Sequence, residues 1–291
     1  MTIAGGNDQD IRLDQLNSPR GISLDDENQI IYIADSDNHR IVEWRLDRNT
    51  TRIVAGGNGP GDELDQLNEP SDVIIDRQND DLIIADRGNR RVIRRSRYSN
   101  SPAQIIIRKI DCDRLVMHKD GTLYVSDYKN NAVRRWQKGK RHKQIVVGGN
   151  GEGNQLNQLN NPASLFVDDD HTLYICDTNN HRVMKWMKDA EEGIVVAGGN
   201  GQGDQLKQLS WPHGVIVDQS GQIYVADFDN NRVMRWCEGE KEGTMVVDGN
   251  NYEEQGSQLN CPVSLSFDDE GNLYVVDLGN DRIEKFERDF D

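Results

Sequence analysis

One short phrase returns six times along the chain and constrains everything else. It runs Ile31-Tyr32-Ile33-Ala34-Asp35, Leu82-Ile83-Ile84-Ala85-Asp86, Leu123-Tyr124-Val125-Ser126-Asp127, Leu173-Tyr174-Ile175-Cys176-Asp177, Ile223-Tyr224-Val225-Ala226-Asp227 and Leu273-Tyr274-Val275-Val276-Asp277. The terminal aspartates are 51, 41, 50, 50 and 50 residues apart. A unit of that length cannot bury its apolar face alone, so copies must pack on one another.

Each period reads as four short strands. A Pro opens the first (Pro19, Pro70, Pro162, Pro212 and Pro262), with Cys112 at that place in the third repeat. The phrase ending in Asp is the second. An Asn-rich turn leads to Arg40, Arg91, Arg182, Arg232 or Arg282, with Ala132 in the third repeat, and so to the third strand. That strand ends on Trp44, Trp136, Trp186, Trp236 or Phe286, with Arg95 in the second repeat. A Val-Val-Ala-Gly run such as Val195-Val196-Ala197-Gly198 is the fourth. Short β-rich runs bounded by Gly, Asn, Asp and Pro indicate strands and turns. Four strands per 40 to 50 residues predict an all-β, six-bladed β-propeller with four antiparallel strands per blade, forming a single domain over residues 1–291. The chain ends after a third strand and begins with Thr2-Ile3-Ala4-Gly5-Gly6, a fourth-strand copy. The N-terminal strand is therefore expected to close the last blade and cover its edge.

Pro-x-Gly, Tyr-Val-Ala-Asp, Asn-x-Arg-Val and Val-Val-Ala-Gly-Gly together resemble the NHL repeat, over essentially the whole chain. The resemblance implies a six-bladed propeller. For function it implies a protein-binding platform, RNA binding as in the tripartite-motif group, or an enzyme similar to the amidating lyase of peptide hormones. The lyase resemblance would require His after Pro in three blades, and only His213 stands there in this chain. Zinc chemistry generally needs three protein ligands.

Residues present in every repeat serve every blade, so the Asp and Arg of the turns are expected to be structural ties. The repeated Trp and Tyr are expected to pack between blades. Loops such as Gly57-Asn58-Gly59-Pro60-Gly61 imitate a phosphate-binding loop, but no Lys-Ser/Thr and no helix follows, which favours a turn. Acidic runs such as Asp25-Asp26-Glu27 read as solvated turns. Cys112, Cys176, Cys237 and Cys261 show no metal spacing and are expected to be free thiols. No metal and no cofactor is expected.

Departures from the repeat are the better guide to a site. The residue after the Pro position, expected at the mouth of a central channel, reads Arg20, Ser71, Asp113, Ala163, His213 and Val263, with Trp211 at the rim. The third repeat is short because it lacks the Gly-Gly-Asn loop. Around it the charge reverses. From Arg87 to Lys143 there are 17 Lys or Arg against 4 Asp, in a chain of net charge −16. The basic-sector candidates are Arg90, Arg91, Arg94, Arg95, Arg97, Arg134, Arg135, Lys140 and Arg141.

The acidic body opposes general nucleic-acid or membrane binding. No run is long enough to span a bilayer, and no signal peptide is apparent, so a soluble chain of unassigned compartment is expected. The expected function is a binding scaffold for a protein or peptide, reached through the mouth residues or, for an acidic partner, through the basic sector. The alternatives are a hydrolase or lyase using His213, Asp113, Ser71 and Arg20, and RNA binding by the basic sector.

Overall fold

The computed structural model describes residues 1–6, 13–99, 101–137, 144–248 and 258–288. They form six four-stranded antiparallel sheets joined by turns and loops, the all-β six-bladed propeller expected from the repeat. Blade 1 holds Pro19–Asp25, Ile30–Asp35, Arg40–Arg45 and Thr50–Gly56. Blade 2 holds Pro70–Asp76, Asp81–Asp86, Arg91–Ser96 and Gln104–Arg108. Blade 3 holds Cys112–Met117, Leu123–Asp127, Ala132–Trp136 and Gln144–Gly148. Blade 4 holds Pro162–Val167, Leu173–Asp177, Arg182–Trp186 and Ile194–Gly198, and blade 5 holds Pro212–Val217, Ile223–Asp227, Arg232–Trp236 and Thr244–Asp248. Blade 6 holds Pro262–Phe267, Leu273–Asp277 and Arg282–Phe286, and its fourth strand is Thr2–Gly5. That pairing sets Thr2 opposite Glu284 and Gly5 opposite Arg282, and Thr2 Oγ1 donates to Glu284.

The chain divides into two compact units, Met1–Cys112 with Ser266–Asp291, and Asp113–Leu265. In the first unit, Ile30, Tyr32, Ala34 and Ile41 of blade 1 pack with Val73, Leu82 and Ile84 of blade 2. In the second, Tyr174, Cys176 and Val183 of blade 4 pack with Val215, Val225 and Trp236 of blade 5. Each fully buried Val, Leu or Ile among them contributes about 1.5–3 kcal/mol by leaving water. Trp186 and Trp236 are nearly fully buried, and Gly193 and Gly243 make room for them. A Cβ on Gly193 would lie 2.5 Å from the Trp186 ring, and one on Gly243 2.6 Å from the Trp236 ring.

The turn after each second strand shows why Asp, Asn and Arg recur. Asp86 lies opposite Arg91 in the ladder, and their side chains meet at 2.6 Å. The matching pairs, Asp35–Arg40, Asp177–Arg182, Asp227–Arg232 and Asp277–Arg282, are 2.6–2.8 Å apart. Each Asp also accepts from an Asn in the turn, as Asp86 does from Asn89. The rest of the guanidinium holds the loop that leads into its own blade. Arg91 donates to the carbonyls of Asp62, Glu63 and Gln66, and Arg182 to those of Asn154, Gln155 and Gln158.

This explains the irregular third repeat. Only Lys109, Ile110 and Asp111 separate the last strand of blade 2 from blade 3, so there is no loop to hold. Ala132 stands where an Arg would have no carbonyls to reach. Asp127 is paired instead by Arg134, two places along the same strand and on the same face, at 2.5 Å. Loop and Arg are lost together because one exists to hold the other.

Candidate functional site

The residue four places after each turn Asp has a left-handed backbone, with φ of 52° at His39, 51° at Arg90, 48° at Asn131, 52° at His181, 53° at Asn231 and 51° at Asp281. Asn, Asp and His tolerate that region better than other side-chain-bearing residues. Except for Arg90, which donates to Asp111, each accepts a backbone N–H from the segment entering a neighbouring blade. Within the first unit His39 Nδ1 accepts from Glu69, and Asp281 from Ser18. Within the second, Asn131 accepts from Asn161, His181 Nδ1 from Trp211, and Asn231 from Cys261. His39 and His181 therefore do an asparagine's work.

One donor in this series is unlike the rest. Trp211 stands where four other blades have Ser18, Glu69, Asn161 and Cys261 in the same left-handed backbone. It has φ of 54° and is 38% exposed. A bulky aromatic in left-handed backbone is a costly departure. It meets the His181 ring edge-on at 6.1 Å between centroids. Its carbonyl lies 2.7 Å from His213 Nδ1, and the His213 ring stacks on Phe228 at 4.5 Å. Phe228 opens the blade 5 turn, where blade 4 has Thr178 and blade 3 has Tyr128. Behind Trp211, Ser210 donates to Asp229 at 2.9 Å. Burial pulls the His181 imidazole below its ordinary value, against the pull of Asp229 and Asp227. The result is an aromatic step with exposed carboxylate beside it.

Of the expected mouth residues, Trp211 and His213 thus form one cluster. Asp113 is half-buried in the second unit. In the first unit Arg20 is half-buried and Ser71 fully buried.

The basic sector is largely neutralised by carboxylates of the chain. Arg90 pairs with Asp111 at 2.7 Å, Arg94 with Asp76 at 3.3 Å and Arg134 with Asp127. Arg135 donates to Gln144 at 2.8 Å, and Arg95 lies opposite Leu82, half-buried. Arg91 and Arg97 are only 4% and 8% exposed, so burial makes them internal ties and removes them as docking charges. Arg97 binds the Asp25 carboxylate and donates to the Tyr32 hydroxyl, its guanidinium over the Tyr32 ring. Asp25 is consequently a buried ion-pair partner, which corrects the expectation of a solvated turn. Burial alone would raise its pKa, but Asn28 and Arg97 hold it below the ordinary value. Burial pushes the Tyr32 hydroxyl up to about 12. Lys140 and Arg141 lie outside the described residues.

The Gly-rich loops close on themselves, as expected of turns. Gln66 donates to the Asn58 carbonyl, and Pro60 bridges to Leu67. The four cysteines are free thiols. The turn joining the first two strands of blades 1 and 6 edges an open acidic groove of about 640 Å³, lined in part by Asp26, Glu27, Asp268, Asp269, Tyr274 and Lys285.

A second cluster was not visible in linear spacing. His118 and Asp120, in the first turn of blade 3, meet His171 in the first turn of blade 4. The two imidazole centroids are 3.7 Å apart. His118 Nδ1 lies 2.8 Å from Asp120 Oδ1, and His171 Nε2 lies 3.4 Å from Asp120 Oδ2. Burial opposes ionisation of Asp120, but His118 and the Thr122 amide outweigh it and hold the carboxyl well below its usual range. Burial and the neighbouring His118 both lower the His171 imidazole. The available signal was departure from the repeat. His118 replaces the Asp found at 25, 76, 168, 218 and 268, and His171 replaces the Gly found at 121, 221 and 271.

The chain carries NHL repeats: the NHL-repeat family model matches residues 16–44, 159–186 and 209–235. No curated protein matches the sequence. Solved structures share the fold across nearly the whole chain. An auxiliary nutrient binding protein from Bacteroides thetaiotaomicron is 15% identical, with a TM-score of 0.75 over 98% of this chain and 75% of its own. A gluconolactonase from Xanthomonas campestris is 15% identical, with a TM-score of 0.69 over 93% and 86%. Virginiamycin B lyase from Staphylococcus aureus, in a catalytically inactive form with quinupristin, is 11% identical, with a TM-score of 0.63 over 96% and 87%. At such identities the likeness is one of fold, and one fold serves binding proteins and enzymes alike.

Proposed function

We propose that this propeller is a binding scaffold that docks a protein or peptide segment on the blade 5 turns, around Trp211, His213 and Phe228. The observation that carries the reading is Trp211: a large exposed aromatic kept in left-handed backbone where four other blades place smaller or polar residues. Strained, exposed aromatics are retained where they contact something, and Trp is enriched among residues that dominate interface energies. The favoured segment carries Lys or Arg beside an apolar residue. The cation would lie over the Trp211 ring or against Asp229, and a chain of net charge −16 steers such a segment inward. The hydrolase or lyase alternative draws on fold likeness alone. The RNA and acidic-partner alternatives draw on a basic sector whose guanidiniums are mostly paired.

The test is selection from a random peptide library on the immobilised chain, followed by affinity measurement on Trp211→Asn. Asn161 holds the matching place in blade 4, so the variant retains the backbone preference. Peptides selected on the wild type are expected to bind the variant at least about 30-fold more weakly, the loss typical of a dominant interface Trp. Equal binding to both, or no enrichment, overturns the reading.

A further inference from the structure

We infer that His118, Asp120 and His171 form a binding site for a divalent transition-metal ion, joining the first turns of blades 3 and 4. The ligand atoms of the three residues lie within 4.8 Å of one another. Two imidazoles and a carboxylate are a donor set suited to zinc and its neighbours. Bonds of about 2.0–2.1 Å to a tetrahedral ion place ligand atoms roughly 3.3 Å apart. His171 Nε2 and Asp120 Oδ2 already stand at 3.4 Å, and His118 Nδ1 at 2.8 Å from the other carboxylate oxygen needs only a small retreat.

The outer contacts fit the same reading. A metal-bound imidazole normally has its second nitrogen held by a hydrogen bond, which fixes the tautomer and aims the ring. Both rings have that support. His118 Nε2 lies 3.3 Å from the Asp169 carbonyl, and His171 Nδ1 lies 2.8 Å from the Tyr124 hydroxyl. These contacts leave His118 Nδ1 and His171 Nε2 turned toward Asp120, whose own amide makes a long 3.3 Å contact to His118 Nδ1 that an ion would displace. The carboxylate is anchored as well, because Asp120 Oδ1 accepts the Thr122 amide at 2.8 Å.

The repeat shows that the turn itself does not require this arrangement. In blades 4, 5 and 6 the first turn residue, Asp168, Asp218 or Asp268, accepts the amide of Thr172, Gln222 or Asn272. In blade 3 that residue is His118, and Asp120 takes over the amide. The exchange brings a carboxylate between two imidazoles. His171 has φ of 64° where Gly121, Gly221 and Gly271 have 79–85°. An imidazole at a glycine position is unfavourable for the turn, and it gains a partner only across the blade boundary. The His118 ring is buried, whereas the Asp120 side chain is 46% exposed. Water can therefore complete the coordination from the Asp120 side.

The experiment is calorimetric titration of chelator-stripped chain with Zn²⁺, with visible absorption of the Co²⁺ form as a second readout. Wild type is expected to bind one ion per chain and to show the ligand-field bands of a nitrogen–oxygen site. At about 100-fold excess over the dissociation constant the ion should raise the melting temperature by about 5 °C. His171→Gly restores the residue of the other blades and should fold normally, yet lose at least about 10-fold in affinity and the Co²⁺ bands. Asp120→Asn should weaken binding similarly, and His213→Ala should leave it unchanged. Absence of saturable binding below about 100 µM, or binding retained in both His171→Gly and Asp120→Asn, would overturn the site.

Discussion

The turn between the first and second strands recurs in every blade, yet it carries opposite chemistry in the two units. In the first unit, the blade 1 and blade 6 turns set Asp26 against Asp269, whose amide donates to the Asp26 carboxylate at 3.1 Å. Burial and the charge of Asp269 together push Asp26 above its ordinary value. In the second unit, the blade 3 and blade 4 turns set two imidazoles around Asp120, and the carboxyl moves the other way. The blade 1 turn is a 3-10 turn over Asp26–Asn28, whereas the blade 3 and blade 4 turns close on Thr122 and Thr172. Departures from the repeat in those two turns put a converging donor set where blades 1 and 6 have a mutually repelling acidic edge. In a repeat protein, chemistry is placed by exceptions to the repeat, and packing is kept by its regular members.

The largest expected effect tests the regular, buried side of this contrast. Asp25, which opens the blade 1 turn, is sealed against Arg97, so Arg97→Met strands a buried carboxylate. The expected loss is about 3–5 kcal/mol, measured by the urea midpoint. A loss below about 1 kcal/mol would mean that the pair is not sealed from water. The same pair gives a pH signature. Asp25 titrates below its ordinary value of 3.8 in the folded chain. Its stabilisation is therefore present at neutral pH and falls away as pH drops below that value. The wild-type advantage over Arg97→Met should shrink correspondingly in acid urea titrations.

A smaller effect is expected from His118→Asp, which gives blade 3 the first-turn residue of its neighbours. Stability in chelator should stay within about 1 kcal/mol of wild type. A larger loss would show that blade 3 cannot adopt the common turn. The smallest effect is Asp26→Asn. Asn still accepts the Asp269 amide but removes a like charge, so a gain of about one or two degrees in melting temperature is expected at pH 7. Because Asp26 titrates above its ordinary value, its ionised form opposes folding at neutral pH, and that penalty is relieved on acidification. The advantage of the variant should vanish in acid. An equal gain at pH 7 and in acid would assign it to something other than charge.

Much of this is legible in the sequence. The four-strand period, the closing strand Thr2–Gly5 and the structural role of Asp35 and Arg40 follow from residue spacing, because a strand and its turn are local. The shortness of the third repeat was legible too, but its meaning was not. That Ala132 goes with the missing loop emerges only when Arg91 and Arg182 are seen holding loops that precede their own blades. The basic sector is visible in sequence and its neutralisation is not, since a sequence shows a charge without its partner. Arg97 and Asp25 are 72 positions apart and meet across a blade boundary. Trp211 departs from the repeat in sequence, but its positive φ is a property of the folded turn.

The sequence by itself determined the number of blades, the strand order within each and the residues that every turn needs, since hydrogen-bond ladders and turn geometry act over a few residues. Tertiary structure alone decided which side chains from different blades face one another. His118 and His171 are 53 positions apart, and no local rule couples them. They meet because packed blades bring equivalent turns side by side, so a change made independently in each becomes a shared site.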